Sequence, residues 1–211
     1  MRAASGQDEV RHGVFLRPDD ATAAAVTTIT THLRERLGVV SAGRFAPHVT
    51  LAGSVPLAVP EADLLAAVRD VVRRHPPVPV TNRGPRRLWD AVLAFDVHED
   101  EDGRPNAALV DLAGDVAAAV RPLLGAGGPL PADVRDRDDW HGHLSLASHE
   151  LQGRPDLLDE AERLVAELDA PYPGRFRAAS VSVVRLHHPT WTGAWWTGFR
   201  WEQVDALSLG T

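Results

Sequence analysis

The chain has 211 residues, 44% of them apolar and 24% charged, with a formal net charge of −7 at pH 7. It has no cysteine, which excludes disulfides, thiolate nucleophiles and Cys-ligated zinc; none of its 22 basic residues is a lysine, which excludes Schiff-base chemistry and a P-loop lysine. The acidic balance argues against a broad basic face for long nucleic acid, while leaving room for a nucleotide or an RNA end held by a few arginines.

No segment approaches the roughly 20 apolar residues of a membrane span. Residues 1–12 are polar, mixed in charge and without the apolar centre of a signal peptide. They read as a flexible tail before a single domain over 13–211, in a cytoplasmic protein. Residues 13–17 are a predicted strand ended by Pro18. Asp19 and Asp20 can cap a helix that carries Val26, Ile29, Leu33 and Leu37 at helical spacing and stops at Gly38. Residues 45–53 form a strand. Pro60 opens a second helix with Leu64, Val68 and Val71 or Val72 on one face, stopped by Pro76 and Pro77. Residues 88–97 read as one strand, 106–124 as a third helix and 125–139 as a long polar loop. Residues 140–147 are a strand, and 156–169 a fourth helix with Leu157, Ala161, Leu164 and Leu168 inward. Two strands, 180–186 and 195–204, close the chain; Trp195, Trp196 and Trp201 on the last are expected to pack in the core.

An internal repeat links these pieces. His48-Val49-Thr50-Leu51-Ala52 is followed, twelve residues after its histidine, by Pro60, a helix and then Pro77-Val78-Pro79. His143-Leu144-Ser145-Leu146-Ala147 is followed at the same distance by Pro155, a helix and Pro171-Tyr172-Pro173. The expectation is a bilobal, duplicated α+β fold, with two antiparallel sheets lining a central cleft and helices on the outer faces.

Side chains alternate along a strand. His48 and Thr50 therefore share one face, as do His143 and Ser145, while Val49, Leu51, Leu144 and Leu146 anchor the other. Two imidazoles with ordinary pKa values near 6.5 suit the base and acid of a phosphodiester displacement. The two hydroxyls can donate to the non-bridging oxygens of the transition state.

Two His-x-(Thr/Ser) motifs on strands, about a hundred residues apart, resemble the two-histidine phosphoesterase superfamily. The carriers are Pro47-His48-Val49-Thr50-Leu51 and His141-Gly142-His143-Leu144-Ser145-Leu146. The wording around His48 is most similar to the cyclic phosphodiesterase branch. Val14 to Pro18 and Ser182 to Leu186 are similar to edge pieces of that branch and of the LigT-like 2′–5′ RNA ligase branch. Relatives of the first type often have a proline before the second histidine, where this chain has Gly142. The resemblance implies hydrolysis of a nucleoside or RNA-terminal 2′,3′-cyclic phosphate, or of ADP-ribose 1″,2″-cyclic phosphate. By that likeness His143 would activate water and His48 would protonate the leaving oxygen.

Three further residues are substrate-binding candidates: Arg185, ahead of Arg17 and Arg44, for a phosphate; Trp140 for a nucleobase; and His141, on the same strand face as His143. No cofactor and no metal are expected, and the partner is a small cyclic nucleotide or RNA end met by a monomer away from any membrane. The rival readings are LigT-like action on 2′–5′ RNA linkages, a catalytically silent nucleotide-binding module, and a metalloenzyme using His141 and His143.

Overall fold

The computed structural model describes residues 9–125 and 134–210. The chain enters through β1 (Glu9–Arg17) and α1 (Asp20–Leu37). Asp19 caps α1 by accepting from the Thr22 amide, and Gly38, in the left-handed region, ends it by donating its amide to the Arg34 carbonyl. Then come β2 (Val49–Val55), α2 (Glu61–Val72), β3 (Val78–Thr81), β4 (Pro85–Leu88), β5 (Val92–Asp96) and α3 (Ala107–Val120). The second half runs β6 (His143–Ala147), α4 (Pro155–Leu168), β7 (Arg175–Ala178), β8 (Ser180–His188) and β9 (Arg200–Ser208).

Seven strands form one antiparallel sheet in the order β4-β5-β6-β2-β1-β8-β9. The expected α+β class holds, and the two expected antiparallel sheets correspond to its halves, β4-β5-β6 and β2-β1-β8-β9. Between them β2 and β6 share a single register pair, Val49 with Leu144. The strands that follow α2 and α4 in the repeat, β3 and β7, pair with each other in a separate two-stranded sheet. All four helices contribute to one core on one face of the large sheet, where Val14 and Leu16 of β1 point. Phe15, between them, points to the opposite face and packs with Val184, Leu186 and Phe199. That alternation separates a helix-covered face from an aromatic face.

Several expectations need correction. β1 starts at Glu9, inside the expected tail, because Glu9 to His12 pair with Arg185 to His188 and the His12 ring is buried against Glu61. Residues 1–8, and 126–133 of the expected loop, lie outside the described residues. The single strand over 88–97 is a hairpin, β4 and β5, turning at Trp89 and Asp90 with φ of 51° and 54°. Asp90 is a residue that tolerates the left-handed region but Trp89 is not, and with no glycine or asparagine the turn's sequence signal was weak. α4 buries Leu158, Ala161, Leu164 and Val165, which leaves Leu157 and Leu168 at its edge. Trp195 and Trp196 lie in a short 3₁₀ turn before β9, outside the helix-side core. No helix among the described residues is long and apolar enough to cross a membrane.

Candidate active site

His48 immediately precedes β2 and His143 opens β6. Val49 faces Leu144 across antiparallel strands. One residue to either side, that register sets His48 opposite Ser145 and Thr50 opposite His143. Each motif therefore presents its histidine to the other motif's hydroxyl. Val49 and Leu144, at the crossing, are buried in the helix-side core and hold the two strands together there.

The two imidazoles are braced alike. His48 Nδ1–H donates to the Ala46 carbonyl at 2.8 Å, and His143 Nδ1–H donates to the His141 carbonyl at 3.0 Å. In both cases the acceptor lies two residues upstream. The bond fixes the tautomer and leaves Nε2 as the nitrogen that can exchange a proton with a ligand. Both Nε2 atoms belong to side chains lining one cavity of about 290 Å³, which Thr50, Ser145, His141 and Trp140 also line.

The surroundings of the pair differ. His48 stacks on Phe15 with ring centroids 3.9 Å apart and meets the edge of Phe45. Burial in this aromatic box pushes its pKa down to about 4, against the raising effect of the Ala46 carbonyl. Burial also holds His143 below the ordinary range; the His141 carbonyl and the Asp96 carboxylate oppose that shift. Near neutral pH both rings are accordingly neutral in the free protein.

A model of the 2′-5′ RNA ligase superfamily matches residues 18–190. The chain belongs to that superfamily. No curated protein sequence matches it significantly. Among solved structures, TT0787 of Thermus thermophilus is 20% identical with a TM-score of 0.57, covering 94% of this chain and 97% of its own. E. coli LigT complexed with NADP+ is 16% identical with a TM-score of 0.54, covering 97% of this chain and 100% of its own. The same protein complexed with ATP is 15% identical with a TM-score of 0.53, covering 97% and 99%. At these identities the structural likeness establishes the fold, and the superfamily rests on the sequence match.

Within this superfamily member, six of the seven residues singled out from sequence meet in one cavity. Arg185 does not. It stands opposite His12 on β1, so it shares the helix-side face with Val14 and Val183 and points away from the histidines. There its guanidinium grips both oxygens of Glu61, at 2.6 and 2.8 Å, and also pairs with Glu202. Trp140 is a wall of the cavity: it is only 6% exposed, and its indole N–H donates to the Thr50 carbonyl at 3.0 Å. Arg44 lies outside this cavity and donates to the Thr197 carbonyl.

Sequence reasoning missed Trp89, Arg135 and Asp96. Trp89, at the strained hairpin tip, is 54% exposed and presents its ring edge-on to His141 and His143, with centroids 5.6 and 5.3 Å away. The Arg135 guanidinium lies over the Trp89 ring. On the other side of the cavity Trp195 packs on His149 and on Phe199. Only Asp96 had a signal to find: it is a carboxylate ending the otherwise apolar Val92–Asp96 strand, and it is 4% exposed. Among the described residues no group of three or more His, Cys, Asp or Glu is arranged to hold a metal ion.

Proposed function

We propose that this protein is a two-histidine phosphodiesterase that opens a cyclic phosphate by acid–base catalysis, on a nucleoside or RNA-terminal 2′,3′-cyclic phosphate or on ADP-ribose 1″,2″-cyclic phosphate. The observation that carries this reading is the antiparallel crossing of the two motifs, with both Nδ1 atoms tied to carbonyls and both histidines lining one cavity. In-line displacement at phosphorus needs entering and leaving oxygens on opposite sides, and the pair supplies a proton acceptor for one and a donor for the other.

In the hydrolytic direction His143 Nε2 accepts a proton from the attacking water, and the water oxygen bonds to phosphorus. The bond from phosphorus to the ribose oxygen breaks, and His48 Nε2–H protonates that oxygen. Thr50 and Ser145 donate hydrogen bonds to the non-bridging oxygens. Release of the phosphate monoester leaves the proton on His143, and exchange with solvent resets the pair. His48 enters with its proton only if something offsets its burial, and the phosphodiester anion is that counter-charge.

The test is turnover of the four nucleoside 2′,3′-cyclic phosphates in EDTA, by wild type and His143→Ala, with 2′- and 3′-phosphate products resolved. Chelator-resistant hydrolysis that the variant loses is the expected result. Hydrolysis that survives His143→Ala, or that EDTA abolishes and added metal restores, would refute the mechanism.

One observation favours a second reading, action on a 2′–5′ RNA linkage. Aromatic surfaces flank the pair on both sides, Trp89 beside His143 and Trp195 beyond the Phe45–Phe199 contact on the His48 side. A diester with a nucleoside on each side of phosphorus could use both, whereas a cyclic mononucleotide has one base. Cleavage of a 2′–5′-linked dinucleotide faster than any cyclic mononucleotide would select this reading.

A further inference from the structure

The cavity holds a third imidazole that neither step of the proposed chemistry uses. His141 lies two residues before His143, just ahead of β6 and so outside the strand the sequence placed it on, and its side chain lines the same cavity, with Gly142 between them. A Cβ on Gly142 would sit 2.8 Å from the Trp140 ring and 3.2 Å from Leu109, so the packing of the wall demands glycine between the two histidines. His141 Nε2–H donates to Asp96 Oδ1 at 3.1 Å. The same oxygen accepts from the His98 amide at 3.2 Å, and Arg86 approaches the other oxygen at 3.6 Å. His98 lies nearly flat against the His141 ring at 4.4 Å, and Trp89 closes on its edge. The ring is thus fixed by a carboxylate, a stacked imidazole and an indole. Its Nδ1 has no hydrogen-bond partner among the described residues, and the side chain lines the cavity.

We propose that Asp96 and His141 form a carboxylate–imidazolium pair whose Nδ1–H donates to a non-bridging oxygen of the substrate phosphate. His141 is then a third histidine in contact with substrate, and Asp96 is its positioning residue. This rests on reading the cavity as a phosphodiester site. The physical case is one of charge. Burial keeps His48 and His143 neutral at rest, so the pair alone offers an entering anion no cation. Arg135 supplies one at the rim over Trp89. The Asp96 carboxylate held against His141 Nε2 is itself nearly fully buried, so it stands where it can offset a proton on that ring when phosphate binds. The charged and titratable groups around the pair are Arg86 on Asp96, His98 against the ring, and His143, whose Nδ1–H uses the His141 carbonyl.

The test is titration of inorganic phosphate into wild type, His141→Gln and Asp96→Asn by calorimetry, beside kcat and KM for the cyclic phosphates. A charge-assisted hydrogen bond is worth about 1.5–3 kcal/mol. His141→Gln should therefore weaken phosphate about tenfold or more and raise KM more than it lowers kcat. Asp96→Asn should weaken phosphate in the same direction and make the binding fall off at lower pH. His141→Arg, a permanent cation, should keep phosphate within about threefold of wild type and abolish the effect of adding Asp96→Asn; it also serves if His141→Gln does not fold. Phosphate affinity and KM unchanged in His141→Gln would overturn the proposal, as would loss of phosphate in His141→Arg. The two readings fail separately: phosphate binding that needs His141 without turnover sinks the phosphodiesterase reading alone, whereas turnover indifferent to His141 sinks only this one.

Discussion

A depressed histidine pKa is also a statement about stability. His48 titrates near 4 in the folded protein, chiefly because it is buried between Phe15 and Phe45, and near 6.5 once unfolded. The folded pKa lies below the unfolded one, so the stabilisation is fully present above pH 6.5. It is lost as pH falls from 6.5 towards 4, because only the unfolded chain takes up the proton in that window. Integrating over the two pKa values, lowering pH from 7 to 5 costs about 2 kcal/mol, and to 4 about 3 kcal/mol. His48→Gln removes the titrating group, so its stability should fall by about 2 kcal/mol less than wild type between pH 7 and pH 5. In a chain of this size that is a difference of about 4–8 °C in the loss of Tm. His12, His98, His143 and His149 are also held low by burial. They titrate in both proteins and cancel in the comparison, apart from the weak coupling of His143 to His48. The assay is urea unfolding followed by tryptophan fluorescence at pH 7, 6 and 5. Equal losses in the two proteins would refute the argument that the aromatic box holds His48 neutral.

Because the proposed reaction needs one neutral and one protonated histidine, and both are depressed, kcat/KM should follow a bell centred on the acid side of pH 6.5; a bell centred above 7 would contradict the depressed pair. The optimum in kcat should lie higher, since bound phosphate favours the proton on His48, and pH profiles under saturating substrate check this. Trp89→Gly should relieve the left-handed backbone by about 1 kcal/mol and leave or raise Tm. It should also raise KM about tenfold if the indole stacks on a base, so an unchanged KM would remove Trp89 from the substrate surface. Arg185→Ala should leave KM untouched and lower stability by about 1 kcal/mol or more, because Glu61 loses its counter-charge and two charge-assisted hydrogen bonds; a change in KM without a loss of Tm would return Arg185 to the site.

The legible part of this molecule was whatever periodicity and repetition encode. The helices were readable from Ile29, Leu33, Leu64 and Val68 at helical spacing, and the site from two motifs whose alternation puts His48 and His143 on one face and their leucines on the other. The misreadings arose where tertiary context decides. A tight turn built on Trp89 and Asp90 has one residue that commonly marks a turn, Asp90, set beside a bulky indole that does not, and the pairing of Pro85–Leu88 with Val92–Asp96 forces it. Arg185 was the first of three arginines considered for a phosphate, yet its register with His12 turns it towards Glu61 of α2. Asp96 stood out in the sequence as a carboxylate ending an apolar strand, but its neighbour was set only by the pairing of β5 with β6, which puts it directly opposite His143.

The repeat makes the two motifs alike in backbone and bracing, so any division of labour between them must come from outside the motifs. Burial dominates both rings, but the neighbouring charges differ. After burial, the charges acting on His48 are those of His143 and Arg17, and both oppose its proton. His143 feels His141 and Arg135 in the same sense, but also the Asp96 carboxylate, which favours its proton. A ring that gives up its proton readily is the better acid, and a ring with a carboxylate behind it is the better acceptor. On the proposed chemistry that asymmetry assigns the leaving oxygen to His48 and the attacking water to His143. Asp96→Asn should then slow attack more than leaving-group departure. Its effect on kcat should persist with a substrate whose leaving group needs no protonation, such as a p-nitrophenyl phosphodiester, while the effect of His48→Gln should largely vanish there. If His48→Gln and Asp96→Asn both kept their full effects with the activated leaving group, the assignment of acid and base would be wrong.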